Sequence, residues 1–549
     1  MLPIRQLDQR IGRTRAFADA LDDPATSFDT RKTTVPLPPA TLFEFDFFEP
    51  VPIQIEVSEA PLTSDAGLLP LRQFDERIGL TKQFAAVLDD PRDPELTEHT
   101  FLEMVRSRVY GILAGYEDQN DHDTLRTDPV FKLIADRSPE DDDLASQPTL
   151  SRFENQINIP SLKRLREVFV DQFIASFDTP PRHLTFDLDA VDDPAHGHQQ
   201  LTFWHNYYDQ NQYLPLVITC ADNDQFVMLS LRHGSAHAAL GADDDVAYLV
   251  TRLRQVWPDV VLHFRGDCAF GIPDLYDVCE RVRVFYTFGL TANAVLQRET
   301  EGLLAEAVAG YERERQAARQ EEPPRPAVPS RLFAGFWYQA GTWPGPRYVV
   351  AKAEANDQGT NRRFVVSNRP EASLLPGPTY DEYAMRGESE NRNKEFKCDL
   401  AMNRLSDHRF LANYFRLYLH AAAMNLLVRL RRFIAEPLPA LPTQAETAPP
   451  TSQSGEAACP ATEGGVPAEA LTGEERQRHF RLRRQRDPLG EGHPCTWRTL
   501  LIKVAAEVIV RTRRIVIRLS SSWPHLGWYL HVCERLGNPL PTPVPDPSG

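Results

Sequence analysis

The sequence predicts a mixed α/β protein, and three observations carry that expectation. Between residues 180 and 299, three short β-rich runs are followed by strand–helix alternation. On either side, apolar residues recur at i, i+3, i+4 and i+7, the period of amphipathic helices. The composition, 42% hydrophobic and 25% charged over 549 residues, is that of a globular chain long enough for several domains.

Taken in order, the chain begins with an internal repeat. LPIRQLDQRIGRTRAFADALDDP at 2–24 returns as LPLRQFDERIGLTKQFAAVLDDP at 69–91. A repeat seen twice at one large offset is a duplicated segment and not a solenoid, which needs three stacked units. A Pro- and Phe-rich stretch separates the copies and ends in strand-like alternation. HTFLEMVRSRVYGILAGY predicts a helix over 98–116. After an acidic loop, Thr149 and Ser161 are the expected caps of two further helices.

From 180 onward, RHLTFDLDAV, YLPLVITCA and QFVMLSLR read as strands. A helix near 243–257, the strand VVLHFRGDCAF, the helix IPDLYDVCERV and the strand VRVFYTFGL complete the series. Three strands followed by strand–helix alternation fit a mixed sheet of ribonuclease-H type. Residues 300–375 add a charged helix, a Pro-rich break and β-like runs, and helical patterns resume at 380–400 and 408–433. Residues 436–470 lack large apolar side chains and read as a disordered linker. The tail holds the amphipathic TWRTLLIKVAAEVIVRT and the strand-like RRIVIRLSSSW.

Composition limits the function classes. No apolar run of about 18 residues occurs, so no membrane-spanning helix is expected. The first residues, MLPIRQLDQRIGR, lack a signal-peptide core. The seven cysteines form no CxxC pair, which points to a reducing compartment. Net charge is −17, yet its distribution is uneven. Residues 117–143 hold ten acids against three cations, whereas 475–518 hold twelve cations against four acids. Dense local positive charge suits phosphate, and a solvated basic surface is the plain alternative. Gly-rich phosphate loops are absent, so no nucleotide cofactor is implied.

The chemistry rests on acids and cations. Alternation in HLTFDLDAV puts Asp187 and Asp189 on one strand face. Asp267 follows a buried run and so stands at the carboxyl end of a strand, where open α/β sheets place ligands. Tyr383, Arg386, Glu390 and Lys397, taken at about 100° per residue, share one helix stripe. The carboxylate there suits a divalent cation and the cations suit phosphates; a solvated charged helix face is the plain alternative.

The spacing Y-(2)-R-(3)-E-(6)-K in YAMRGESENRNKEFK resembles the signature around the third acid of DDE transposases from bacterial insertion sequences. The phrases TSDAGLLPLRQFDERIGL, GYEDQNDHDTLRTDPVF, SQPTLSRFEN, DLDAVDDPAHGHQ and RGDCAFGIPDLYDVC resemble the branch numbered 1380, related to the family 4 transposases. So does the tail phrase TWRTLLIKVAAEVIVRTRRIVIRLSSSWPHL. The resemblance implies a ribonuclease-H-like catalytic core with Asp189, Asp267 and Glu390 as metal ligands. Asp187 stays open as the first acid, with Asp189 preferred because Ala190 follows it. Two Mg²⁺ ions, replaceable by Mn²⁺, are the implied cofactors. Tyr383, Arg386 and Lys397 are the implied DNA contacts.

The expected function is cleavage at an element's ends and transfer of the 3′-hydroxyl into target DNA. The alternatives are a nuclease without strand transfer and a decayed transposase that only binds DNA. Expected partners are inverted-repeat ends, target DNA and further copies of the chain, as a homodimer or larger oligomer. The expected location is cytoplasmic and nucleoid-associated. The expected parts are a duplicated segment (1–63), a DNA-binding helical domain (64–178), the core (179–299 and 377–435) and a β-rich insertion (300–376). A linker (436–470) and a basic C-terminal region with a small α/β tail (471–549) follow.

Overall fold

The computed structural model describes residues 43–45, 53–55, 60–435 and 493–537. The first repeat copy at 2–24, the Pro-rich linker and the basic stripe at 476–486 lie outside them. The chain divides into two units, Met1–Ala60 and Pro61–Gly549. In the first, β1 (Phe43–Phe45) and β2 (Ile53–Ile55) pair antiparallel, with Phe43 opposite Ile55.

The second unit opens with β3 (Leu62–Thr63) and a helical series: α1 (Leu68–Ile78), α2 (Leu80–Ala86), α3 (Phe101–Ala114), α4 (His122–Leu125), α5 (Pro129–Ile134), α6 (Gln147–Asn155) and α7 (Ile159–Ile174). The second repeat copy forms α1 and α2. Gly79 divides them at φ +67°, a left-handed position that favours glycine. Thr100 caps α3 by accepting from the Glu103 N–H. The two expected caps are corrected. Ser146, not Thr149, stands at the N-cap of α6. Asn158 caps α7, and Ser161 is the residue whose N–H it accepts.

The central elements are β4 (His183–Ala190), β5 (Asp193–Pro194), β6 (Phe203–His205), β7 (Gln210–Tyr213), β8 (Leu216–Cys220) and β9 (Phe226–Ser230). Next come α8 (Ala242–Val256), β10 (Val261–Gly266), α9 (Pro273–Arg281), β11 (Phe285–Leu290), α10 (Ala294–Glu299) and α11 (Glu301–Gln320). β12 (Ser330–Tyr338), β13 (Arg347–Asn356) and β14 (Gly359–Ser367) follow. One sheet takes the order β12-β13-β14-β11-β10-β4-β8-β9. β4, β10 and β11 run parallel, with β8 and β9 antiparallel on one side. On the other side β14 pairs antiparallel with β11. The strands of the 300–376 segment therefore continue the main sheet. β5, β7 and β6 form a separate small sheet that grows from the end of β4.

Leu184, Phe186 and Leu188 of β4 join Phe264 and Phe288 in the apolar core under the sheet. Two helices follow, α12 (Pro376–Ala384) and α13 (Gly387–Lys394), then a π turn at Glu395–Asp399 and the long α14 (Phe410–Ala435). The tail contributes α15 (Pro494–Trp497), a π turn at Arg498–Ile502, β15 (Ala506–Arg511), β16 (Arg514–Leu519) and α16 (Leu526–Arg535). Its amphipathic run is thus not one element. The alternation in AEVIVR is a strand period, and β15 pairs with β16 and with β3.

A second core joins the N-terminal helices, α14 and the tail. It includes Leu71, Phe84, Phe415, Tyr418, Trp497 and Val508. The tail is held closely: a Cβ on Gly67 would meet the Leu501 carbonyl oxygen at 1.8 Å. Among the described residues, no helix is long and apolar enough to cross a membrane.

Candidate active site

Asp187 and Asp189 share a face of β4, as alternation predicts, but their surroundings differ. Asp187 lies opposite Arg265 of β10 in the parallel register. The buried Arg265 guanidinium donates to both its carboxylate oxygens, at 2.7 and 2.8 Å. A further N–H of Arg265 donates to the Glu382 carbonyl on α12 at 2.6 Å. Both Asp187 carboxylate oxygens are therefore engaged by one buried cation.

Two residues on, Asp189 has no such partner. Its Oδ1 accepts from the Ala190 N–H at 2.9 Å, and its Oδ2 accepts from the Asn393 side-chain amide at 2.7 Å. Burial pushes its carboxyl up to about 6; Arg386 opposes that shift, while Asp267 and Glu390 add to it. Asp267 follows the last strand residue, Gly266, which stands beside Leu188 of β4. Parallel pairing thus brings Asp267 alongside Asp189 at one sheet edge. The Asp267 Oδ1 accepts from the Ala269 N–H at 2.9 Å, fixing the loop.

Gly289 on β11 makes room for this loop. A Cβ there would stand 2.6 Å from the Cys268 nitrogen and 2.8 Å from the Tyr383 hydroxyl. Glu390 is exposed on α13 and pairs with Arg386 at 3.1 Å. Burial works against the charge of Arg386, but Tyr383, Asp189, Glu390 and Asp267 together raise its pKa.

The single helix stripe predicted for Tyr383, Arg386, Glu390 and Lys397 is corrected. Tyr383 is in the last turn of α12, Arg386 caps α13, Glu390 lies within α13, and Lys397 is in the π turn. Around Met385–Ser389 the backbone bonds tighten to i−3, as in Arg386 N–H to Tyr383 O and Ser389 N–H to Arg386 O. The π turn then closes from Leu400 N–H to Glu395 O. Both changes break the uniform 100° step, and π turns often occur at functional sites. Tyr383, Arg386 and Glu390 do gather at the acids. Lys397 pairs instead with Asp192, three residues beyond Asp189, its Nζ 2.6 Å away.

Sequence reasoning missed Asn393, Asp192 and Asp193. Asn393 could have been found three residues after Glu390, on the same helical face. Asp193 is fully buried, and neither carboxylate oxygen has a hydrogen-bond partner among the described residues. Burial raises its carboxyl well above the ordinary range, Lys397 opposes that, and Asp192 reinforces it. Among the described residues, no three His, Cys, Asp or Glu side chains are arranged to hold a metal ion.

A family model described as Transposase DDE domain group 1 matches residues 48–447. The chain belongs to this family. No curated protein matches the chain. Among solved structures, the cryo-EM piggyBac transposase synaptic complex with hairpin DNA is similar at a TM-score of 0.31 and 14% identity. That match covers 68% of this chain and 77% of the other.

Proposed function

We propose that the chain is an insertion-sequence transposase of the 1380 branch that cleaves DNA at its element's ends and joins the freed 3′-hydroxyl to target DNA. The observation that carries this reading is the parallel β4–β10 register that sets Asp267 beside Asp189, with Asn393 bonding Asp189 from α13, the helix that bears Glu390. Family membership supports it independently. The strand order β9-β8-β4-β10-β11, three antiparallel strands followed by two parallel ones, supports a ribonuclease-H-like core.

The donor types suit a divalent ion, three carboxylates supplying hard oxygens, although among the described residues they are not drawn together into a metal-holding group. Asp189, Asp267 and Glu390 would hold Mg²⁺ or Mn²⁺. Two such ions, when bound, supply activation of the attacking oxygen and charge stabilisation of the leaving one.

The protein's own groups orient this centre. Asn393 holds Asp189 through its Oδ2, and the loop amide of Ala269 holds Asp267. Arg386, the cation among the acids, contacts a DNA phosphate and neutralises charge there. Tyr383 packs beside it. Lys397 acts through Asp192 until DNA draws it away. The helical part at 64–178 binds DNA, the 300–376 segment extends the core, and the active form is a homodimer or larger oligomer on nucleoid DNA.

The test incubates the full chain and Mg²⁺ with linear DNA bearing the repeats that flank its coding region, plus a supercoiled target plasmid. Joined products are expected. Cleavage without joining leaves a nuclease, and binding without either leaves a decayed transposase.

A further inference from the structure

The small sheet beside the acids carries a surface that the proposed chemistry does not use. β5 begins three residues after Ala190 and pairs with β7, which pairs with β6. Between β6 and β7 the chain reads NYYD, after Trp204 and His205 of β6. The Asp209 N–H donates to the His205 carbonyl at 2.9 Å, and Asp209 takes φ +55° to close the turn.

Three aromatic side chains here face solvent: Phe203 is 45% exposed, Trp204 51% and Tyr207 83%. Tyr207 stands edge-on to Tyr208, with ring centroids 4.9 Å apart. The hairpin does not float. A Cβ on Gly234 would meet the Phe203 carbonyl oxygen at 2.4 Å, and the Gly234 N–H donates to Leu201 O at 3.1 Å.

The hairpin is also tied to the acid site. Gln210 of β7 donates to Asp192 Oδ2 at 3.1 Å, and Lys397 donates to Asp192 Oδ1 at 2.6 Å. Burial pushes the Tyr208 phenol up to about 12, with the charges of Asp192, Asp189 and Asp267 adding to the shift. Tyr208 therefore lies within the field of two proposed catalytic acids, and Tyr207 touches Tyr208.

We propose that the 203–208 hairpin is a stacking platform for an unpaired nucleobase of the DNA being cut, with Trp204 and Tyr207 as its faces. The inference rests on the reading of DNA as substrate. Its physical basis is that a rigid, solvent-facing aromatic surface next to phosphate-cutting groups meets bases only where they leave the duplex stack. There, base–aromatic stacking is strong and tolerant of sequence. Paired bases hide their faces, so the platform discriminates unpaired from paired DNA.

The experiment uses the full chain in EDTA, so that no cleavage intervenes. The probe is a duplex oligonucleotide with 2-aminopurine in a three-nucleotide single-stranded overhang, and the control is the same length fully paired. Binding is expected to quench the overhang fluorophore. Trp204→Ala and Tyr207→Ala should each weaken overhang binding by about 5- to 150-fold while leaving paired DNA unaffected. Tyr207→Phe should restore it, because stacking needs the ring and not the hydroxyl. Trp337→Ala, exposed on β12 at the far end of the sheet, should change nothing.

Equal losses on both probes, or no loss with correctly melting variants, would overturn the platform. So would a change in the solution mass of the Trp204→Ala and Tyr207→Ala proteins, which would make the patch a contact between copies. The catalytic reading fails separately, if Glu390→Gln still cleaves while overhang quenching persists.

Discussion

The Arg265 guanidinium spans both carboxylate oxygens of Asp187 and reaches on to the Glu382 carbonyl. Arg265 is two residues before Asp267, Asp187 two before Asp189, and Glu382 one before Tyr383. One buried cation thus ties together β4, β10 and α12, which lead to the three acids and to Arg386. Its partner, Asp187, is the acid that the sequence left open as an alternative first ligand.

Arg265→Met should therefore be costly, by about 3–5 kcal/mol, because it strands the buried Asp187 charge. The double variant Arg265→Met/Asp187→Leu should recover most of that stability, since two apolar groups of similar size leave no charge unpaired. Chemical denaturation of the two variants checks this. If the double variant is no more stable than Arg265→Met, the pair is not coupled as its geometry indicates.

Asp187 and Asp189 should separate on different axes. Asp187→Asn should lower the melting temperature, whereas Asp189→Asn should not lower it and should abolish cleavage. Parallel melts and cleavage assays decide. Loss of cleavage confined to Asp187→Asn, with normal melting, would transfer the ligand role to Asp187.

The pH dependence has a definite sign. Asp189 binds its proton more tightly in the folded chain, near pH 6, than at its ordinary 3.8. Metal-free stability therefore falls as pH rises from about 4 to about 6 and is level above that. Asp189→Asn removes this loss, giving a gain of up to about 3 kcal/mol above pH 7 and little at pH 4. Denaturation curves in EDTA at both pH values provide the comparison; an equal effect at the two would show that the carboxyl is not perturbed.

Asp193 offers a related test without metal chemistry. Its carboxyl pKa is raised by burial, and it has no hydrogen-bond partner among the described residues. Folding with the neutral acid costs stability as pH rises above the ordinary carboxylate range, and Asp193→Asn carries no such cost. The variant should match wild type in acid and exceed it at neutral pH. A large loss at neutral pH would mean that the charged carboxylate is needed.

Much of this was legible in the sequence. Strict alternation placed Asp187 and Asp189 on one face, and the end of the VVLHFRG run placed Asp267 just beyond a strand. Alternation could not tell which aspartate was free, because Arg265 reaches Asp187 only through sheet pairing across 78 residues. The single stripe failed because the i−3 bonds around Met385–Ser389 and the π turn alter the helical step, which spacing alone does not reveal. Lys397 looked available because its partner, Asp192, lies 205 residues away. The tail was split wrongly since AEVIVR has apolar spacing that suits a strand as well as a helix. Its strand state is set by pairing with β16 and with β3.

The central claim is that Glu390, with Asp189 and Asp267, performs metal-dependent cleavage. The most direct measurement compares wild type with Glu390→Gln on DNA carrying the flanking repeats, in Mg²⁺, after matching their melting and end binding. Wild type should nick the ends, and the variant should bind them equally but cut at least about 100-fold more slowly, the scale of losing a group that acts at the transition state. Cleavage by Glu390→Gln at close to the wild-type rate would contradict the assignment.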